Sequence, residues 1–208
     1  MMQRVPATVA ATLLLVARVA AQSPAPPATA PPQPPPQVEK TFAAGGSVYM
    51  DLSAGGYVIE GTADPRIRIR YTTRDPGDAS SVRATADVTG NQARIVIAGP
   101  RNGFSARIEL PVRSDLTVSL SAGDLALGAL EGNKDVSAWA GKIQVAVPKP
   151  EDYYSVQASV TAGEIRAEPF HANKGGVFRS FSWEGKGRHS LRVRLTAGEV
   201  TIHGSEKK

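Results

Sequence analysis

From Val38 onward apolar and polar residues alternate along most of the chain, and the alternation changes phase at one short unit that recurs five times. The copies are Ser53-Ala54-Gly55-Gly56, Ser121-Ala122-Gly123-Asp124, Trp139-Ala140-Gly141-Lys142, Thr161-Ala162-Gly163-Glu164 and Thr196-Ala197-Gly198-Glu199. The second and fourth residues after each glycine are apolar: Tyr57 and Ile59, Leu125 and Leu127, Ile143 and Val145, Ile165 and Ala167, Val200 and Ile202. That is strand periodicity with one face buried. Upstream of the glycine the pattern holds in a shifted phase: Leu191, Val193, Leu195 and Ala197 sit two apart, then Val200 comes three on. Ala162 to Ile165 and Ala122 to Leu125 make the same odd step. An odd step turns the side chains to the other face unless the backbone bends or bulges there. Gly55, Gly123, Gly141, Gly163 and Gly198 therefore read as structural corner residues, chosen because glycine alone enters positive φ freely. The alanine before each is expected to be small because the inside of the corner has little room.

Between the corners the chain continues to read as strands. Arg66 to Tyr71 alternates, Ala93 to Ile97 follows a Gly90-Asn91 turn, and Ser105 to Leu110 alternates again. Pro111 and Pro148 mark strand ends, because proline cannot donate to a ladder. Phe178 to Trp183, Gly185-Lys186-Gly187 and Ser190 to Leu195 predict a hairpin. No stretch of ten residues beyond the N-terminal segment has helical periodicity. The fold class is all-β. Of the glycine spacings of 68, 18, 22 and 35 residues the middle two fit a solenoid coil and the outer two must hold further strands or hairpins, and on the repeat a β-solenoid, a β-helix-like repeat domain, is favoured over the alternative of a two-sheet β-sandwich.

The ends of the chain read differently. Arg4, the apolar stretch Val5 to Ala17, and Val19-Ala20-Ala21 have the three parts of a secretory signal, so residues 1–21 are expected to be removed or, alternatively, kept as an anchor. Residues 22–37 hold eight of the sixteen prolines and predict a disordered or semi-extended linker. The β domain then spans 38–204, and 205–208 form a polar tail. The location implied is export, to the periplasm, the cell surface or the medium, with no transmembrane segment after signal cleavage. Without Arg4 and Arg18 the 24 basic and 19 acidic residues leave a net charge of +3, too mild to argue for nucleic acid. The absence of cysteine removes disulfides, thiolate metal sites and a lipid-modified cysteine together.

The recurring apolar-x-[Ser/Thr]-Ala-Gly-[Asp/Glu]-apolar-x-apolar pattern behind Pro-containing strand ends resembles the bacterial putative-adhesin family of exported β-repeat proteins, catalogued as a domain of unknown function. The resemblance covers about Ser47 to Gly204 and is strongest from Leu110. It implies a surface or envelope location, a β-helix-like fold and a role in adhesion. Gly56 and Lys142, where the acidic residue is missing, and Trp139, in place of Ser or Thr, depart from it.

Candidate chemistry is sparse. Asp124, Glu164 and Glu199 could form a Ca²⁺ ladder, but two corners lack a carboxylate, and solvated turn residues are the better reading. Arg66, Arg68 and Arg70 share one strand face, as do Arg192 and Arg194; these rows could meet an anionic envelope polymer, or simply occupy a wet face. Trp139, Trp183, Tyr153 and Tyr154 are expected to fill core and corners rather than stack on sugars. His171, His189 and His203 lack paired ligand spacing, and no phosphate loop, nucleophile elbow or dinucleotide fingerprint is present. No catalytic, metal or cofactor site is assigned. The expected function is a non-enzymatic envelope or surface binding module whose partner is an envelope glycan, an anionic polymer or another protein. The alternatives are a β-helix enzyme acting on polysaccharide and a structural protein that pairs through sheet edges.

Overall fold

A computed structural model describes residues 37–100 and 102–204. The expected signal, all but the last residue of the linker, and the polar tail lie outside the described residues. The described residues form twelve strands: β1 (Val38–Thr41), β2 (Gly46–Leu52), β3 (Gly55–Thr62), β4 (Arg66–Thr73), β5 (Arg83–Thr89), β6 (Gln92–Ala98), β7 (Phe104–Pro111), β8 (Ser114–Leu127), β9 (Lys134–Ala146), β10 (Tyr153–Ala167), β11 (Ala172–Glu184) and β12 (His189–His203). The expectation of an all-β chain holds. Helical structure among the described residues is confined to 3₁₀ turns at Pro76–Ser81, Pro150–Asp152 and Glu168–Phe170.

The phase change in the sequence is a fold line in one sheet. In β8, Leu116, Val118 and Leu120 are buried before the corner and Leu125 and Leu127 after it; β9, β10 and β12 repeat the pattern. Upstream of the corner, β2, β8, β9, β12 and β10 lie parallel in that order, flanked by the β5–β6 hairpin on one side and antiparallel β11 on the other. Downstream of it, β3, β8, β9, β12 and β10 continue in the same order, flanked by β7, β4 and β1. The upstream and downstream halves of the sheet enclose one hydrophobic cluster between them. Solenoid and sandwich thus meet in one architecture, a parallel stack of bent strands whose two limbs form facing halves.

The corner glycines stand in a column, Gly55 beside Gly123, Gly141, Gly198 and Gly163 in register across the stack. Two separate constraints exclude a side chain there. Gly123, Gly141, Gly198 and Gly163 have φ of 117°, 128°, 133° and 142°, a region L residues avoid. A Cβ on any of these four would also lie 1.7–2.0 Å from the carbonyl oxygen of the neighbouring corner glycine. The alanines before them do not fill the inside of the corner as expected: Ala54, Ala122 and Ala140 are half-buried, while Ala162 and Ala197 are exposed.

Chain order and stacking order diverge at the end of the molecule. The hairpin expected between residues 178–183 and 190–195 is absent; β11 pairs antiparallel with β10, and β12 inserts between β9 and β10. Gly185-Lys186-Gly187 is the link that carries the chain past the start of β10. Gly185 and Gly187 donate backbone hydrogen bonds to Tyr154 and Tyr153, and a Cβ on Gly187 would meet Asp152 backbone at 2.0 Å. A close crossing needs glycine as much as a tight turn does, and local sequence does not separate the two.

Candidate binding face

The two outer faces of the folded sheet differ in chemistry. On the downstream half, Arg66, Arg68 and Arg70 of β4 are met by carboxylates. Arg66 reaches Glu39 at 2.9 Å, Arg68 contacts Asp64 at 2.7 Å and Glu39 at 3.2 Å, and Arg70 pairs with Glu109. The hydrogen bonds from Arg66 and Arg68 hold the Glu39 carboxyl below its usual range. The corner charges interlock as well. In register across the stack run Asp124, Lys142, Glu199 and Glu164, so the lysine that breaks the acidic pattern lies between two carboxylates. Lys142 is 3.5 Å from Glu199, and Arg166 bridges Glu164 at 2.8 Å and Glu199 at 3.0 Å. Glu199 is held low first by the Thr201 hydroxyl and then by these cations. Exposed ion pairs contribute only about 0–1 kcal/mol each. They do leave this face with few uncommitted charges.

The outer face of the upstream half carries hydroxyls and exposed aromatic rings among a smaller number of charged groups. Registered pairing places two rows across the strands: Tyr49, Thr117, Asp135, Arg192, Gln157 and Ser182, and beside it Asp51, Ser119, Ser137, Arg194, Ser159 and Ser180. Neighbouring side chains within a row are about 4.8 Å apart, the strand spacing. Two open grooves of about 460 and 590 Å³ lie over these rows, the first bordered by Tyr49 and Tyr154 and the second by Trp139. Arg194 pairs with Asp135 at 2.8 Å and Arg94 with Asp51. Among the described residues Arg192, on the floor of the first groove, has no ion-pair partner.

The aromatic residues divide between core and surface. Tyr153 is buried, and Trp183 packs against Phe170 with ring centroids 4.8 Å apart, as expected. Trp139 and Tyr154 depart from expectation, at 69% and 49% exposed. Trp139 replaces the corner Ser or Thr of the other units, at a position that faces outward. Tyr154 is turned out by a bulge: the register between β10 and β12 shifts between Tyr153 and Ser155, leaving the extra residue free to point into the groove.

Sequence reasoning missed Lys134. It stands in the inward phase of β9, with Val136 and Ala138, and is 1% exposed. Its ammonium donates to the carbonyls of Leu130 and Gly132 at 2.7 and 3.1 Å and to the Tyr153 hydroxyl at 2.6 Å. Burial pushes the lysine down to about 8 and Tyr153 up to about 12. With every proton of the ammonium used, this group ties the loop before β9 to the start of β10 beneath the first groove. The signal was present in the sequence as a charged residue at an apolar phase position.

At the far edge, β11 presents Phe178, 82% exposed and with φ of 51°. Lys174 donates to the Ser180 carbonyl at 2.9 Å and Arg179 to the Gly175 carbonyl at 2.7 Å. Cationic side chains folded over an edge strand, with a local kink, are the means by which sheet edges avoid pairing.

No protein-family model matches the chain, and no curated protein matches it. The fold is similar to a solved structure described as a putative cell adhesion protein from Clostridium sporogenes, with a TM-score of 0.52 and 14% identity. The match covers 79% of this chain and 97% of the other. A likeness at this identity is one of fold. The finer resemblance drawn from the corner pattern, to a family of β-repeat proteins, has no matching family model behind it.

Proposed function

We propose that the chain is a non-enzymatic binding module of the cell envelope or cell surface, exported by its N-terminal signal, which binds through the outer face of the upstream half of the sheet. The observation that carries this reading is the segregation of the faces. Exposed aromatic rings, hydroxyls and the unpaired Arg192 collect on the upstream face, while the arginine and carboxylate rows of the downstream face are spent on each other. The similarity to a protein described as a cell adhesion protein supports the same reading. Arg192 remains a candidate for contact with a polar or anionic group; Arg194, paired with Asp135, and the Arg66, Arg68 and Arg70 row are the weaker candidates because carboxylates already face them.

A polysaccharide-cleaving enzyme has one observation in its favour: Asp115 and Asp135 line the same groove. Both are engaged, Asp135 by Arg194 and Asp115 by the backbone N–H of Asn133 at 2.7 Å, and the groove is open, whereas hydrolysis needs a protonated acid opposite a free base or nucleophile. Binding of the protein to an envelope fraction of its source organism tests the main reading. Ser137→Arg, which places a bulky cation in the upstream face, is expected to abolish binding. The Arg66/Arg68/Arg70-to-Ser variant is expected to retain it. The reverse pattern would move the site to the downstream face, and release of reducing sugar that disappears in Asp115→Asn would replace binding with catalysis.

A further inference from the structure

We infer that the ligand of the upstream face is an uncharged glycan chain, running along the strands with one sugar ring stacked on Trp139 near the corner and another on Tyr154 or Tyr49 toward the strand starts. The inference rests on the binding face proposed above and adds the chemistry of its occupant. Three features of the face select that class. Its flat rings are exposed and sit beside polar floors, the combination that receives the apolar face of a pyranose while the ring's hydroxyls find partners. Its rows are dominated by Ser119, Ser137, Ser159, Thr117 and Gln157, groups that both donate and accept, as sugar hydroxyls do. Its charges nearly cancel: Arg194 is matched by Asp135 and Arg94 by Asp51, and the unpaired Arg192 shares the first groove with Asp115, whose carboxylate accepts from the Asn133 backbone. A polyanion would require a row of uncompensated cations, and a protein partner of ordinary size would require a larger apolar centre than these rings supply.

The arrangement also accounts for two irregularities at once. The corner that breaks the Ser/Thr pattern and the strand that breaks register are the two that put Trp139 and Tyr154 on this face.

The test uses the purified protein and the envelope fraction, untreated, oxidised with periodate to destroy vicinal diols, or digested with protease. The expected result is loss of binding after periodate, no loss after protease, little change between low and high salt, and about tenfold weaker binding by Trp139→Ala. Because Trp139 is mostly exposed, that variant is expected to keep its circular dichroism and melting temperature. Binding that survives periodate, is removed by protease, or falls steeply with salt would overturn the uncharged glycan. If such binding still depended on Trp139 and Ser137, the face itself would stand. Binding indifferent to both substitutions would overturn the face along with its ligand.

Discussion

The corner glycines show why a residue can be indispensable without carrying chemistry. Gly123, Gly141, Gly163 and Gly198 are held at positive φ and packed against the carbonyl of the adjacent corner, so a methyl group meets torsional strain and a clash that neither strand can relieve without opening the stack. Gly141→Ala is therefore expected to destabilise the protein by about 3 kcal/mol or more, above the ~1 kcal/mol of glycine freedom alone. Gly175→Ala, where a Cβ meets nothing within 4 Å, should change stability by no more than about 0.5 kcal/mol, and urea unfolding of both variants compares them. Lys134 gives a pH signature of the opposite kind. Its folded value of about 8 lies below its ordinary 10.5, so between those values the unfolded chain holds more protons and stability rises with pH. Folding with the charge buried costs on the order of 3 kcal/mol below pH 8, and that cost fades toward pH 10. Above about 10, Tyr153 acts in the other direction, because its raised value makes the unfolded chain the readier to lose its proton. In Lys134→Met the rise between pH 8 and 10 should be missing from denaturation curves; an unchanged rise would assign it to another group.

Among the elements, the existence of strands was readable from alternation, and the pairing of strands far apart in sequence was not. The strand β6 was legible behind its Gly90-Asn91 turn, which joins it to β5, and β4 and β7 were legible as strands by alternation alone, although their pairing with each other spans a long stretch of chain and was not. The insertion of β12 between β9 and β10 has no local signal, since the same apolar face can pair with any strand of matching phase. For the same reason the rows of the proposed binding face were invisible: Ser137, Arg194 and Ser159 become neighbours only through that insertion. Trp139 and Tyr154 were visible as residues but not as surface, because burial of an aromatic depends on which way the corner and the bulge turn it. The β11 edge carries a prediction of its own. With Lys174 and Arg179 folded over the strand the protein should sediment as a monomer, and the Lys174→Ser/Arg179→Ser double variant should associate as concentration rises. A wild-type protein that associates through this edge would favour an assembly role.

At the scale of the whole molecule, folding one sheet along a glycine column yields a single core and two broad outer faces, and the faces have diverged. One is closed by ion pairs; the other keeps its polar groups and rings available. Hydrogen exchange of the backbone, with and without the envelope fraction proposed to be bound, tests this partition most directly, because it reads every strand at once. Protection is expected along the upstream limbs of β8, β9, β12 and β10, around residues 115–121, 134–140, 190–197 and 154–161, with the downstream limbs of the same strands unchanged. Protection confined to the downstream limbs, or to β4 and its arginines, would contradict the account.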